Sequence, residues 1–243
     1  MAGEKLYEGK AKIIYTTDDP AVLLTYFKDD ATAFNAQKRG QIADKGKINC
    51  AISTYLFQRL ESAGVATHWL ETVSDREMRV KALSIIPLEV VVRNVAAGSL
   101  CRQTGLPLGQ VLEPPLVEFY YKNDDMGDPL LTPDRMRVMN VATDEQIATL
   151  RRQAEQINHI LTKFFASCAI TLVDFKLEFG LDHQQTIVLG DEISPDTCRL
   201  WDQATEDETQ RVMDKDRFRQ DLGQVEQAYQ RVLERVMAQS PQH

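Results

Sequence analysis

The stretch Thr171-Leu-Val-Asp-Phe-Lys-Leu-Glu-Phe-Gly180 constrains the fold most strongly. Val173, Phe175, Leu177 and Phe179 alternate with Asp174, Lys176 and Glu178. A period of two marks a β-strand, because successive side chains leave a strand on opposite faces. One face is apolar and requires a core. The other carries two carboxylates around an ammonium, all on the same side. A turn over Gly180 to Gln185 leads to the apolar run Thr186 to Leu189 and then to Gly190, Asp191 and Glu192. Folded as a hairpin, this segment returns Asp191 towards the level of Glu178. Two carboxylates meeting beside a lysine make a seat for Mg2+ on a polyphosphate, since Mg2+ takes one or two carboxylates plus phosphate oxygens and the lysine adds a point charge. A charged ladder on a solvated sheet face, held by cross-strand ion pairs, would carry the same pattern.

Around this strand the chain alternates between sheet and helix signals. Ala11 to Tyr15 reads as a strand with a tight turn at Gly9, and Gly9, Lys10 and Lys12 could close over phosphates, or simply protect an edge strand. The spacing is not that of a Walker A loop. Ala21 to Phe27 reads as a second strand of an antiparallel meander. Asp29 to Gly40 is polar and reads as a mobile loop. Ile48, Ala51, Ile52, Tyr55, Leu56 and Leu60 recur at steps of three and four, giving a helix over Lys45 to Leu60. Met78 to Leu83 reads as a strand. Pro87 interrupts the next apolar run, Ile85 to Leu88, which makes it a candidate hinge.

Leu88 to Val92 reads as a buried strand ending at Arg93. Beside the small residues Ala96 to Ser99, Arg93 suits a phosphate monoester through bidentate pairing and a hydroxyl donor, or else it caps a turn. Gln103 to Pro115 reads as turns. Phe119 to Pro129, with Lys122 and Asp128, reads as a loop at a cleft or a solvated turn. Thr143 and Gln146 form a capping box that opens a long helix to about Ala166. His159, within that helix, is assigned a structural role. Met213 to Arg219 is densely charged and could line a cleft through Lys215, Arg217 and Arg219, or else form a helix N-terminus with i,i+4 pairing. The final helix reads as running through Phe218, Leu222 and Tyr229 to about Met237.

The 243 residues suffice for one large domain or two modest ones sharing a cleft. The formal charge of −8 argues against general affinity for nucleic acid or a membrane surface, though not against a local basic pocket. Cys50, Cys101, Cys168 and Cys198 are widely spaced, which fits reduced thiols rather than a disulfide scaffold or zinc cluster. His68, His159, His183 and His243 show no ligand spacing. Met1 to Lys10 lacks an apolar signal core, and no stretch is long enough for a membrane span.

Taken together, Leu6-Tyr-Glu-Gly-Lys-Ala-Lys12, Val91-Val-Arg-Asn94 with Ala96 to Ser99, Val173 to Gly180, Gly190-Asp-Glu192 with Ser194-Pro-Asp196, and Arg199 to Asp202 with Asp214 to Arg219 closely resemble the SAICAR synthetase family of purine biosynthesis. The resemblance runs from about Leu6 to Val236. It implies an α+β, two-part architecture similar to ATP-grasp or kinase folds. An N-terminal antiparallel sheet over residues 1–87 would face a larger α+β part over 88–243, with ATP in the cleft between them. It implies an ATP-dependent ligase that joins carboxyaminoimidazole ribonucleotide (CAIR) to L-aspartate, with Mg2+ as cofactor, through an acyl phosphate. By the same resemblance, Lys10, Ala11, Lys12, Lys81, Glu178 and Asp191 would bind ATP, with Glu178 and Asp191 holding the metal. Lys176 and Asp174 would be catalytic. Arg93, Ser99, Asp196, Arg199, Lys215 and Arg219 would bind substrate. The expected setting is a cytoplasmic homo-oligomer, a dimer by family habit, with no nucleic-acid or membrane partner. Another ATP-dependent ligase or small-molecule kinase, and a non-catalytic nucleotide-binding regulator, are the rival readings.

Overall fold

The computed structural model describes residues 3–33 and 37–239. His243 and part of the expected mobile loop lie outside them. The chain opens with β1 (Lys5–Glu8), β2 (Lys12–Thr16), β3 (Val22–Phe27), β4 (Asp30–Ala33), β5 (Lys38–Gln41) and α1 (Lys45–Ser62). It continues through β6 (Trp69–Ser74), β7 (Glu77–Lys81), β8 (Ser84–Val95), α2 (Ser99–Thr104), β9 (Val111–Tyr121) and β10 (Leu130–Leu131). Then come α3 (Pro133–Val138), α4 (Asp144–Ser167), β11 (Ile170–Leu181), β12 (Ile187–Leu189), β13 (Cys198–Asp202), α5 (Asp216–Arg219) and α6 (Val225–Met237). The fold is α+β, with antiparallel sheets.

The first sheet has the order β1-β2-β3-β7-β6. The second runs β10-β9-β8-β11-β12, with β13 also paired to β11. The alternating stretch is thus a strand of the second sheet, with β8 on one side and β13 and β12 on the other. Val173, Phe175, Leu177 and Phe179 are each at most 1 % exposed, so the apolar face does enter a core. The polar face is also largely covered: Asp174 and Glu178 are 5 % and 4 % exposed. That burial rules out the solvated-ladder reading. Helix α4 starts at the expected capping box, where Thr143 Oγ1 accepts from the Gln146 N–H and the Gln146 side chain accepts from the Thr143 N–H. Its apolar stripe, including Leu150, Ala154, Ile157 and Leu161, is fully buried. His159 lies on its exposed side.

Five sequence expectations are corrected. Among the described residues, the polar segment after Asp29 is not a loop but the hairpin β4–β5, paired Asp30↔Gln41 to Ala33↔Lys38. Pro87 is not a break: β8 runs through it, and the β8–β11 register slips between Glu178↔Glu89 and Gly180↔Ile85. A proline is tolerated at such a bulge because no ladder donor is needed there. Strand β9 begins at Val111, so the turn-rich reading of Gln103 to Pro115 fails over its last residues; Pro114 and Pro115 stand where pairing skips from Val95↔Val111 to Arg93↔Leu116. The final helix is two helices. Asp221, Gly223 and Gln224 all have positive φ, which ends α5 and re-aims the chain before α6. Arg217 does not line the cleft. Its guanidinium donates to the carbonyls of Thr209, Val212, Leu222 and Gly223, which ties this linker together.

Candidate active site

Strand register builds the site. On β11, Asp174 stands opposite Arg93 of β8 and Arg199 of β13. Its Oδ2 accepts from Arg93 Nη1 at 3.0 Å and from Arg199 Nη1 at 2.6 Å. Two residues along, Lys176 Nζ donates to Glu89 Oε1 at 3.0 Å and to Glu178 Oε1 at 2.6 Å. Glu89 and Glu178 face each other across strands, an arrangement that repels unless a cation sits between them. The β11–β12 hairpin then brings Asp191 back: Gly190 N–H donates to the Glu178 carbonyl at 2.8 Å, and Asp191 Oδ2 lies 3.7 Å from Lys176 Nζ. Asp191 holds a left-handed φ of 59°, a strained conformation for a residue with a side chain and one that clusters at functional sites.

The first sheet supplies the opposite wall. Lys12 on β2 pairs with Asp191 and, at 2.9 Å, with Glu192 Oε1. The turn before it is closed by Gly9 N–H donating to the Lys12 carbonyl at 2.8 Å. Lys10 reaches across to Asp124 Oδ1 at 2.6 Å, and Lys122 pairs with Glu178. Lys81 donates to the Thr67 carbonyl at 3.1 Å.

Every residue nominated above for binding or catalysis by the family resemblance lines one cleft of about 810 Å3. Contacts join Lys12, Lys176, Glu178 and Asp191 at one end, and Arg93, Ser99, Asp174, Arg199 and, through Asp216, Arg219 at the other. Lys10, Ala11, Lys81, Asp196 and Lys215 also line the cleft. Lys122 and Asp128, the weaker candidates, also line it. Asp174 and Glu178 stand four residues apart, so the two ends are separated by about 13 Å of strand. Among the described residues, nine cationic and eight acidic side chains line the cleft, against a chain charge of −8, so anionic ligands meet a local balance that the rest of the surface lacks.

Electrostatics hold these groups charged. Burial lowers the Lys12 ammonium, but Asp191 and Glu192 outweigh it and the net shift is upward. For Asp191, burial raises the carboxyl, and Lys12 and Lys176 outweigh it, so it stays ionised. Lys176 follows Lys12: burial is overcome by Glu178, Asp191 and Glu89. His68, which also lines the cleft, is held neutral, lowered to about 4 by burial and the Lys12 charge. Burial pushes the Cys198 thiol far up, so it offers no thiolate.

At the far end the arginines are strapped in place. Arg93 Nε donates to Glu118 Oε2 at 2.7 Å, and its Nη2 donates to Ser99 Oγ at 3.0 Å. Arg199 Nε donates to Asp216 Oδ2 at 2.6 Å, and Arg219 Nη1 to Asp216 Oδ1 at 2.6 Å. Gly98 is required beside them: a methyl there would stand 2.5 Å from Arg199 Nη2. Sequence reading missed Glu89, Glu118, Glu192 and Asp216. Each is an acid whose importance lies in a cationic partner distant in sequence or on another element. Only Glu192 and Asp216, which lie inside quoted motifs, carried any local signal.

A Mg2+ ion fits this donor set. The Lys176 ammonium already stands between Glu178 and Asp191, so the position between these carboxylates accepts positive charge. No group of three or more His, Cys, Asp or Glu suited to a metal occurs among the described residues. Mg2+ commonly takes one or two carboxylates and completes its shell with phosphate oxygens and water.

A two-sheet frame with a lysine-and-carboxylate cleft between its sheets suits a protein that binds phosphorylated ligands. The SAICAR synthetase profile matches residues 5–236. The chain belongs to the SAICAR synthetase family, ATP-dependent ligases of purine biosynthesis. It is 66 % identical over 233 residues to the phosphoribosylaminoimidazole-succinocarboxamide synthase of Nostoc punctiforme, covering 96 % of this chain and 95 % of that one. It is 65 % identical to the enzyme of the same name from Acaryochloris marina, covering 98 % of this chain and 97 % of that one. Among solved structures, a SAICAR synthetase in complex with ADP superposes with a TM-score of 0.91 at 44 % identity, covering 98 % of this chain and 99 % of that chain. The synthase from Ehrlichia chaffeensis gives 0.92 at 42 %, with coverage of 97 % and 99 %.

Proposed function

We propose that the cleft joins the carboxylate of CAIR to the amine of L-aspartate at the expense of ATP. The observation that carries this reading is the β11 face, with a lysine–carboxylate cluster for a polyphosphate at one end and an arginine pair for a ribonucleotide at the other. The relative solved in complex with ADP supports an adenine nucleotide as a ligand, which this reading assigns to the first end. In this reading residues 1–87 form the nucleotide-binding part and 88–243 the substrate part.

Lys10, Ala11 and Lys12 lie over the triphosphate, and Lys81 lies on the adenine side. Glu178 and Asp191 would hold Mg2+, which when bound would supply positive charge to offset that of the phosphates. Lys176 stands beside the γ-phosphoryl group. A carboxylate oxygen of CAIR attacks the γ-phosphorus, the bond to the β-phosphate oxygen breaks, and ADP leaves. The aspartate amine then attacks the acyl carbon, loses a proton, and expels phosphate. Both reactants of the first step are anions, so their approach depends on the lysines offsetting the repulsion. Arg93, Ser99 and Arg199 hold the ribonucleotide, Asp174 fixes both arginines, and Lys215 and Arg219 add charge for its phosphate. Asp196 contributes through Lys215. The acyl phosphate must be kept from water, and the Gly9 turn with its Lys10–Asp124 strap is suited to act as a lid. Free thiols at all four cysteines suit a cytoplasmic setting.

The test separates the two ends. Arg93→Ala should raise KM for CAIR at least about tenfold while KM for ATP changes little, a loss of about 1.4 kcal/mol or more in binding. Equal changes in both constants would remove Arg93 from the substrate end.

A further inference from the structure

Behind the cleft, two buried side chains that take no part in the chemistry above, Lys45 and Tyr229, hold the cleft residue Asp196. Lys45 opens α1, and its side chain is 1 % exposed. Its Nζ lies 2.7 Å from Asp196 Oδ2. Tyr229, on α6, is fully buried, and its hydroxyl donates to Asp196 Oδ1 at 2.7 Å. Both oxygens of one carboxylate are therefore taken from behind, by two helices far apart in sequence. On the cleft side, Lys215 Nζ lies 3.8 Å from Oδ2, beyond hydrogen-bond reach. The Lys215 backbone N–H donates to the Pro195 carbonyl at 3.0 Å, so its main chain is fixed to the same turn. Asp196 and Lys215 line the cleft; Lys45 and Tyr229 do not.

Burying a lysine and an aspartate together is a weak route to stability, because both lose hydration and an apolar pair would serve as well. The arrangement has a consequence for Lys215. An aspartate free to rotate would turn an oxygen onto the neighbouring ammonium and neutralise it. Held at both oxygens by Lys45 and Tyr229, Asp196 is fixed in an orientation that leaves the Lys215 ammonium 3.8 Å away, with its donors kept for a ligand. Asp196 still supplies the negative charge that keeps a lysine tolerable in so enclosed a place.

We propose that Lys45 and Tyr229 are positioning residues that lock Asp196 from behind, so that Lys215 is presented to the anionic ribonucleotide rather than consumed in a tight ion pair. The proposal rests on the reading that this end of the cleft takes CAIR. It also gives the C-terminal helix a part in substrate binding without any contact with substrate.

The experiment is a double-mutant cycle on the full chain with CAIR, ATP and L-aspartate. Lys215→Ala is measured first and should raise KM for CAIR about tenfold. Tyr229→Phe should raise the same constant by a similar factor, leave KM for ATP within about twofold, and retain a native melting transition. Adding Tyr229→Phe to Lys215→Ala should produce no further rise, because the lysine whose presentation it controls is already gone. Lys45→Arg, which keeps the charge behind Asp196, should bind CAIR far more tightly than Lys45→Met. Additive effects in the double variant, equal rises in both KM values, or no effect of Tyr229→Phe would overturn the positioning role. A Lys215→Ala variant with unchanged KM for CAIR would instead overturn the assignment of this end to the ribonucleotide, and the proposal with it.

Discussion

Asp174, Lys176 and Glu178 were legible residue by residue, because strand alternation alone puts three charges on one side of a chain segment. Asp191 was legible through the hairpin that returns it to Glu178. Asp214 was not: it looked like one more acid in a charged run. It is fully buried, with Oδ2 accepting from Leu200 N–H at 2.7 Å and Oδ1 from Asp216 N–H at 2.8 Å. Burial and the Asp216 charge push its carboxyl from 3.8 up to about 7. A carboxyl raised in the folded state binds more protons there than in the unfolded chain. Its contribution to stability is therefore complete below about pH 4 and is lost as pH rises through 7, with a slope of up to about 1.4 kcal/mol per pH unit. Asp214→Asn should flatten that slope in denaturant titrations between pH 4 and 7, even though its amide NH2 cannot accept and one of the two backbone bonds is lost. An unchanged slope would assign the pH dependence to other groups.

At the scale of elements, periodicity found β11, α1, α4 and most of the first sheet. It failed where the backbone deviates for tertiary reasons. Pro87 read as a hinge because a proline normally ends a strand, yet in β8 it coincides with a register slip against β11 that requires no donor. Hairpin β4–β5 was invisible because its strands are four residues each, with only the two small alanines of β4 buried, too short for alternation to register. The split between α5 and α6 was hidden by an apolar pattern that continues across it. Arg217 is what holds that split, through four carbonyl acceptors. Arg217→Ala should destabilise the fold by roughly 3 kcal/mol or more, since each buried bond left unmade costs about 1 kcal/mol. A variant that melts with the parent protein would show that water replaces the guanidinium there.

Over the whole molecule, two sheets bring nine cationic and eight acidic side chains, among the described residues, to one cleft in a chain of charge −8. No helix among the described residues is long and apolar enough to cross a membrane. Family resemblance supplied the nominated site, and the fold gathers all of it; the supporting acids and the Lys45–Asp196–Tyr229 cluster emerged only from register and packing. The central claim is that both ends of the β11 face serve one coupled reaction. The most direct test is ADP release from Mg-ATP and CAIR, with and without L-aspartate, alongside analysis for the succinocarboxamide. The account predicts sustained ADP release only when aspartate is present, matched mole for mole by that product. ADP release at the same rate without aspartate, or with no amide formed, would contradict it.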